Sequence, residues 1–117
     1  MYELIFYTTA DDQSPVDEFL DSLVRKPRAK IFKFMEYLKV QGPDLPRPYA
    51  DTLRGKVREL RVPYGKLHYR LLYFFQGKRI VLTSGFLKKT SGVPEEEIVR
   101  SERRMADWLS RHPEGGA

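Results

Sequence analysis

Arg61 and Arg70 stand in a stretch that also holds Glu59, His68 and the pair Lys88-Lys89. A guanidinium is a planar fork that matches phosphate oxygens two at a time. A carboxylate and an imidazole close to such forks are groups that can move a proton, and imidazole is the side chain that titrates near neutral pH. RNA strand cleavage asks for that set. The 2′-hydroxyl attacks the adjacent phosphate, a crowded oxyanion must be neutralised, and two protons must move. Arg61 and Arg70 are the candidates for the oxyanion. Glu59 or His68 is the candidate general base or acid, and Lys88 or Lys89 an auxiliary cation. This chemistry calls for no metal and no small-molecule cofactor.

The charge of the chain supports an anionic partner. The 117 residues carry 21 Lys+Arg and 16 Asp+Glu, a net charge of +5. Residues 54–89 alone hold 10 basic groups and 1 acidic, whereas 1–53 and 90–117 are each net −2. A basic block of this kind is the footprint of a phosphate-binding surface, or else a solubilising one. Lys56, Arg58 and Lys66 belong to the block, and with Lys88 and Thr83 they are the expected RNA contacts. The chain has no Cys, which excludes a disulfide framework, thiol catalysis and thiolate metal sites. Two His and no apolar run near about 18 residues argue against a zinc site and a membrane span. The start shows no signal peptide, so the cytoplasm is the expected compartment. The length suits one domain, expected over residues 1–111, with a frayed tail at 112–117.

The elements that must position these groups are legible as patterns. Residues 2–7 (YELIFY) read as a strand. Ser14-Pro15-Val16-Asp17 reads as a helix start, followed by a stripe of Val16, Phe19, Leu20, Leu23 and Val24. Pro27 opens a second helix with the stripe Ile31, Phe34, Met35, Leu38, and Gly42-Pro43 ends it. The two form an antiparallel hairpin. Residues 43–52, with three prolines, read as a stiff loop. Residues 55–62, 66–75 and 79–87 read as strands joined at Pro63-Tyr64-Gly65 and Gln76-Gly77. A last helix spans about Pro94 to Ser110, with Glu95, Glu96 and Glu97 in its first turn, where the helix dipole favours them. The expectation is an α+β fold of order β-α-α-β-β-β-α: a mainly antiparallel four-stranded sheet, a helical hairpin on one face and a C-terminal helix.

Strand register decides which side chains meet, because a one-residue slip exchanges the two faces. Turns at Tyr64-Gly65 and Gln76-Gly77 set Glu59 opposite Arg70 and Leu67 opposite Phe86. One face then collects Leu60, Val62, Leu67, Tyr69, Leu71, Tyr73, Phe75, Ile80, Leu82 and Phe86, a surface for the helical hairpin to cover. The other gathers Glu59, Arg61, His68 and Arg70, with Thr83 across from Arg70, above an apolar part that the last helix can cover. Cross-strand neighbours lie about 5 Å apart, so this cluster of cations requires a compensating anion. Tyr64, Tyr69 and Phe86 are rings suited to base stacking, but Tyr69 and Phe86 fall on the core face in this register.

Glu59-Leu60-Arg61, Tyr69-Arg70-Leu71-Leu72-Tyr73 and Gly85-Phe86-Leu87-Lys88-Lys89-Thr90, followed by Pro94-Glu95-Glu96, resemble the RelE/HigB toxins, and the phage-derived branch of that superfamily in particular. The resemblance covers about residues 2–109 and is most specific over 56–98. It implies the toxin of a type II toxin–antitoxin system: an mRNA endoribonuclease that arrests translation, in many relatives on the ribosome. It also implies a cognate antitoxin, commonly a small helix-turn-helix protein in this branch. Arg70 matches the arginine of the superfamily's Tyr-Arg-Leu strand. Lys88 and Lys89 fall where relatives carry a basic residue. Glu59 stands where some relatives carry lysine, and the last helix lacks the C-terminal tyrosine that some relatives use.

Two other functions are compatible with the same sequence. One is a poison without enzymatic activity that binds DNA gyrase, as the ParE branch of the fold does. The other is a basic RNA-binding module without catalysis. An antitoxin could lay an acidic segment over Arg61 and Arg70, or pack on the helical hairpin and leave the basic face open.

Overall fold

Apolar stripes at helical spacing and alternating apolar strands force this chain into layers, and the computed structural model, which describes residues 1–113, shows how they stack. Strand β1 is Glu3–Phe6, helix α1 Pro15–Asp21 and helix α2 Arg25–Gln41. Strands β2 (Ala50–Arg54), β3 (Val57–Tyr64), β4 (Leu67–Gln76) and β5 (Arg79–Leu87) follow, and helix α3 is Glu95–Arg111. The sheet order is β1-β5-β4-β3-β2, with β1 parallel to β5 and the other neighbours antiparallel. The α+β class stands. The sheet is mixed and five-stranded, however, where four mainly antiparallel strands were expected.

The extra strand, β2, lies at 50–54, mostly inside the segment read as a proline-stiffened loop. Its signal is the Gly55-Lys56 turn that follows it. Three Gly-Lys pairs (55-56, 65-66 and 77-78) each close a two-residue hairpin. Gly65 and Gly77 have φ of +59° and +57°, and glycine at the first central position is what a type II′ turn requires. These turns shift both expected registers by two residues. An even shift keeps every side chain of β3 and β4 on its expected face but changes its partner. Arg61 is opposite Arg70, and Glu59 is opposite Leu72.

On one face, α1 and α2 cover Leu60, Val62, Tyr69, Leu71, Tyr73, Ile80 and Leu82 with Val16, Leu20, Ile31, Phe34, Met35 and Leu38. Helix α1 ends at Asp21, so Val24, expected in its stripe, is exposed instead. Leu67, at the far end of β4, is also exposed. The helices approach the sheet closely at Gly85, where an added Cβ would lie 2.5 Å from Phe19 Cδ2. Gly85→Ala is therefore expected to destabilise the fold by about 1–3 kcal/mol through overpacking, read as a lower urea midpoint. An unchanged midpoint would mean that Phe19 moves freely.

On the other face, α3 covers the lower part as expected: Trp108, Met105 and Leu109 pack on Phe74, Val81, Ile5 and Tyr7. Trp108 Nε1 donates to Gln76 Oε1 at 3.1 Å, and His112 stacks on the indole at 3.6 Å. Residues 114–117, most of the segment expected to fray, lie outside the described residues.

Candidate functional site

The uncovered upper part of the second face is built from rows of opposed residues. Arg61, Arg70 and Phe86 form one row across β3, β4 and β5. Asp51, Glu59, Leu72 and Ser84 form the row below it. His68 lies two residues beyond Arg70, and the Lys88 N–H donates to the His68 carbonyl at 2.8 Å.

Two guanidinium groups on directly opposed residues repel, and Glu59 resolves the conflict. Its Oε1 accepts from Arg70 Nε at 2.9 Å. Its Oε2 accepts from Arg61 Nη2 at 3.1 Å and Nε at 3.2 Å. Asp51 Oδ2 accepts from Arg61 Nη2 at 3.3 Å. Glu59 is 3% exposed and Arg70 8%, so this network is largely dehydrated. Burial pushes the Arg70 guanidinium below its usual value; Glu59 opposes that shift and Arg61 adds to it. Asp51 lies on β2, the strand missed in the sequence, and Arg47 is the main cause that holds its carboxyl below the usual range, with the Thr52 N–H second.

These groups line a concavity of about 430 Å³, walled by Ser91–Val93 and reached by Lys88. Lys88 Nζ donates to the carbonyls of Thr90 (2.6 Å) and Ser91 (3.3 Å), which ties down the loop that forms this wall. A second concavity, also about 430 Å³, is lined by Lys66, His68, Lys88 and Lys89. Lys88 borders both, so they adjoin. His68 and Lys89 are exposed.

Three expected contacts are displaced from this site. Thr83 is fully buried; its hydroxyl bonds the Leu72 carbonyl at 3.1 Å and Ser101 Oγ at 2.5 Å beneath α3. Arg58 lies on the opposite face, its guanidinium 5.6 Å from the Phe75 ring centroid, because period-2 alternation groups it with Leu60 rather than Arg61. Lys56 borders the same hollow as Arg58 at the β2–β3 turn.

Phe86 moves the other way. Between Tyr73–Leu82 and Leu72–Ser84 the β4–β5 register shifts by one. A β-bulge of this kind leaves an extra residue unpaired and re-aims the strand beyond it. Thr83 is that residue, so Thr83 and Ser84 both turn to the second face and the alternation beyond is inverted. Phe86 thereby joins Arg70 and leaves the core, where Leu87 packs instead. No alternation in the sequence signals this.

The family model described as "Phage derived protein Gp49-like (DUF891)" matches residues 18–106, most of the chain. No curated protein matches it.

Proposed function

Because this chain belongs to the phage-derived Gp49-like family, a RelE-like toxin family of toxin–antitoxin systems, we propose that it is a RelE/HigB-type mRNA endoribonuclease that inhibits translation at the ribosome. The observation that carries this reading is the Arg61–Glu59–Arg70 network at an open concavity. Bidentate cations held rigidly at one point are suited to a phosphate whose negative charge grows in the transition state. The 2′-hydroxyl passes its proton to His68 as its oxygen attacks phosphorus, and the 5′-oxygen leaves as it takes a proton from solvent, giving a 2′,3′-cyclic phosphate and a 5′-hydroxyl end. Arg61 and Arg70 bind the non-bridging oxygens. This step uses no metal and no organic cofactor.

Glu59 is a positioning residue in this mechanism rather than a base. Both of its oxygens are occupied by guanidinium donors, and a carboxylate so engaged has little capacity left to take a proton. His68 is the proton-transfer group, on the same face and open to solvent. Lys66 and Lys89 flank it and hold the RNA backbone, with Lys88 between the two concavities. The family implies an antitoxin partner. A helix-turn-helix antitoxin carrying an acidic segment that covers Arg61 and Arg70 would exclude RNA by charge complementarity.

Sequencing of mRNA 5′ ends shortly after induction tests the reading. New internal 5′-hydroxyl ends on translated messages are expected. Intact messages together with DNA breaks would transfer the function to a gyrase poison. RNA binding with no cleaved product, even with ribosomes present, would leave a binding module.

A further inference from the structure

Helix α3 carries a second group of cations, outside the Arg61–Arg70 concavity. Arg100, Arg103 and Arg104 recur at i, i+3 and i+4 and therefore share one side of the helix. With Tyr7 and Asp107 they line a hollow of about 430 Å³. The carboxylates nearby are already engaged. Asp107 accepts from Tyr7 Oη at 2.6 Å and Arg111 Nη2 at 2.8 Å. Glu97 accepts from Arg100 at 2.8 Å. Among the described residues, Arg103 and Arg104 have no carboxylate within 4.0 Å. Arg104 is fixed in place, with Nη1 donating to the Thr83 carbonyl at 2.8 Å and Ser84 Oγ at 3.1 Å. Burial, and then the charge of Arg100, pushes its guanidinium below the usual value. Like charges collected around one hollow are relieved by an anion.

The bulge connects this hollow to the first site. Ser84, which holds Arg104, stands two residues before Phe86, and Phe86 is opposite Arg70. A strand spacing of about 5 Å and a two-residue rise of about 7 Å set the two anchor points on the order of 10 Å apart. We propose that Arg100, Arg103 and Arg104 bind a flanking backbone phosphate of the same RNA strand whose scissile phosphate lies at Arg61 and Arg70. Phe86, between the two phosphate sites, is the ring on which the intervening base stacks. This inference rests on the endoribonuclease reading and extends it: the toxin holds a single strand at two phosphates rather than one.

The test uses the full chain with uniformly 2′-O-methylated RNA, which binds but cannot be cut: a dinucleotide, which carries a single phosphate, and a 12-mer, titrated by fluorescence anisotropy at several salt concentrations. The probe variant is Arg100→Ala/Arg103→Ala, whose truncated side chains lie toward solvent. Each lost phosphate contact lowers the salt slope for a single strand by about 0.7. The variant is expected to bind the 12-mer about tenfold more weakly at moderate salt, with a slope lower by about one contact. Its affinity for the dinucleotide should match that of the parent. Equal affinity of parent and variant for the 12-mer overturns the inference alone. Equal losses on both lengths also overturn it, because the arginines would then act on the whole field and not at a second site. A parent that binds neither RNA overturns both this inference and the reading beneath it. Arg103→Glu provides a second variant; it should weaken 12-mer binding further than Arg103→Ala, and identical effects would count against a phosphate contact.

Discussion

Arg70→Ala abolishes growth arrest and lowers mRNA cleavage by a hundredfold or more, while the protein still folds. Loss of one donor aimed at a developing oxyanion costs about 10²–10³ in rate, and Arg70 is the most deeply placed cation of the site, at 8% exposure. Its position is fixed by the Glu59 carboxylate on one side and the Tyr69 carbonyl, 3.2 Å from Nη1, on the other. Arg70→Lys is the sharper variant. It keeps the charge and removes the fork, so an effect nearly as large as that of alanine separates two-point phosphate recognition from a general need for positive potential. Cleavage of a reporter message in a translating extract gives the rate, and circular dichroism with a urea titration checks the fold. If Arg70→Ala and Arg61→Ala both remain as toxic as the parent, the assignment of the site is wrong.

Glu59→Gln is expected to produce the largest loss of stability of any single change at the site, about 3 kcal/mol. Removal of one partner from a buried ionic network leaves uncompensated charge, which costs about 3–5 kcal/mol; the low end applies because Arg61 is one-third exposed and keeps Asp51. The physical signature is specific. Two opposed guanidiniums without their carboxylate become a stronger anion site, so sulfate or inorganic phosphate should stabilise Glu59→Gln more than the parent, by mass action on the folded state. The variant should also be strongly impaired in cleavage. A pH–rate profile that keeps its shape at reduced height supports positioning, whereas loss of the acidic limb would return Glu59 to the role of general base. Equal sulfate response in variant and parent would show that Glu59 does not hold the arginines apart.

The identity and face of most groups at the site were already fixed by alternation along β3 and β4. Glu59 and Arg61 are two residues apart on one strand, as are His68 and Arg70 on the next, and a pairing that differs from the expected one by two residues leaves all four on the same side. The helical stripes were equally readable, because a 3.6-residue period survives without knowledge of the partner surface. What the chain could not declare locally is pairing at a distance. β1 and β5 pair in parallel although two helices and three strands separate them in the chain, and β2 is five residues long with one buried position. The β5 bulge is a third case: one unpaired residue, held by the Thr83–Ser101 contact with α3, inverts all that follows. That contact joins residues far apart in the chain. The bulge takes Phe86 out of the core and sets it beside Arg70, and it turns Ser84, which holds Arg104, to the same face.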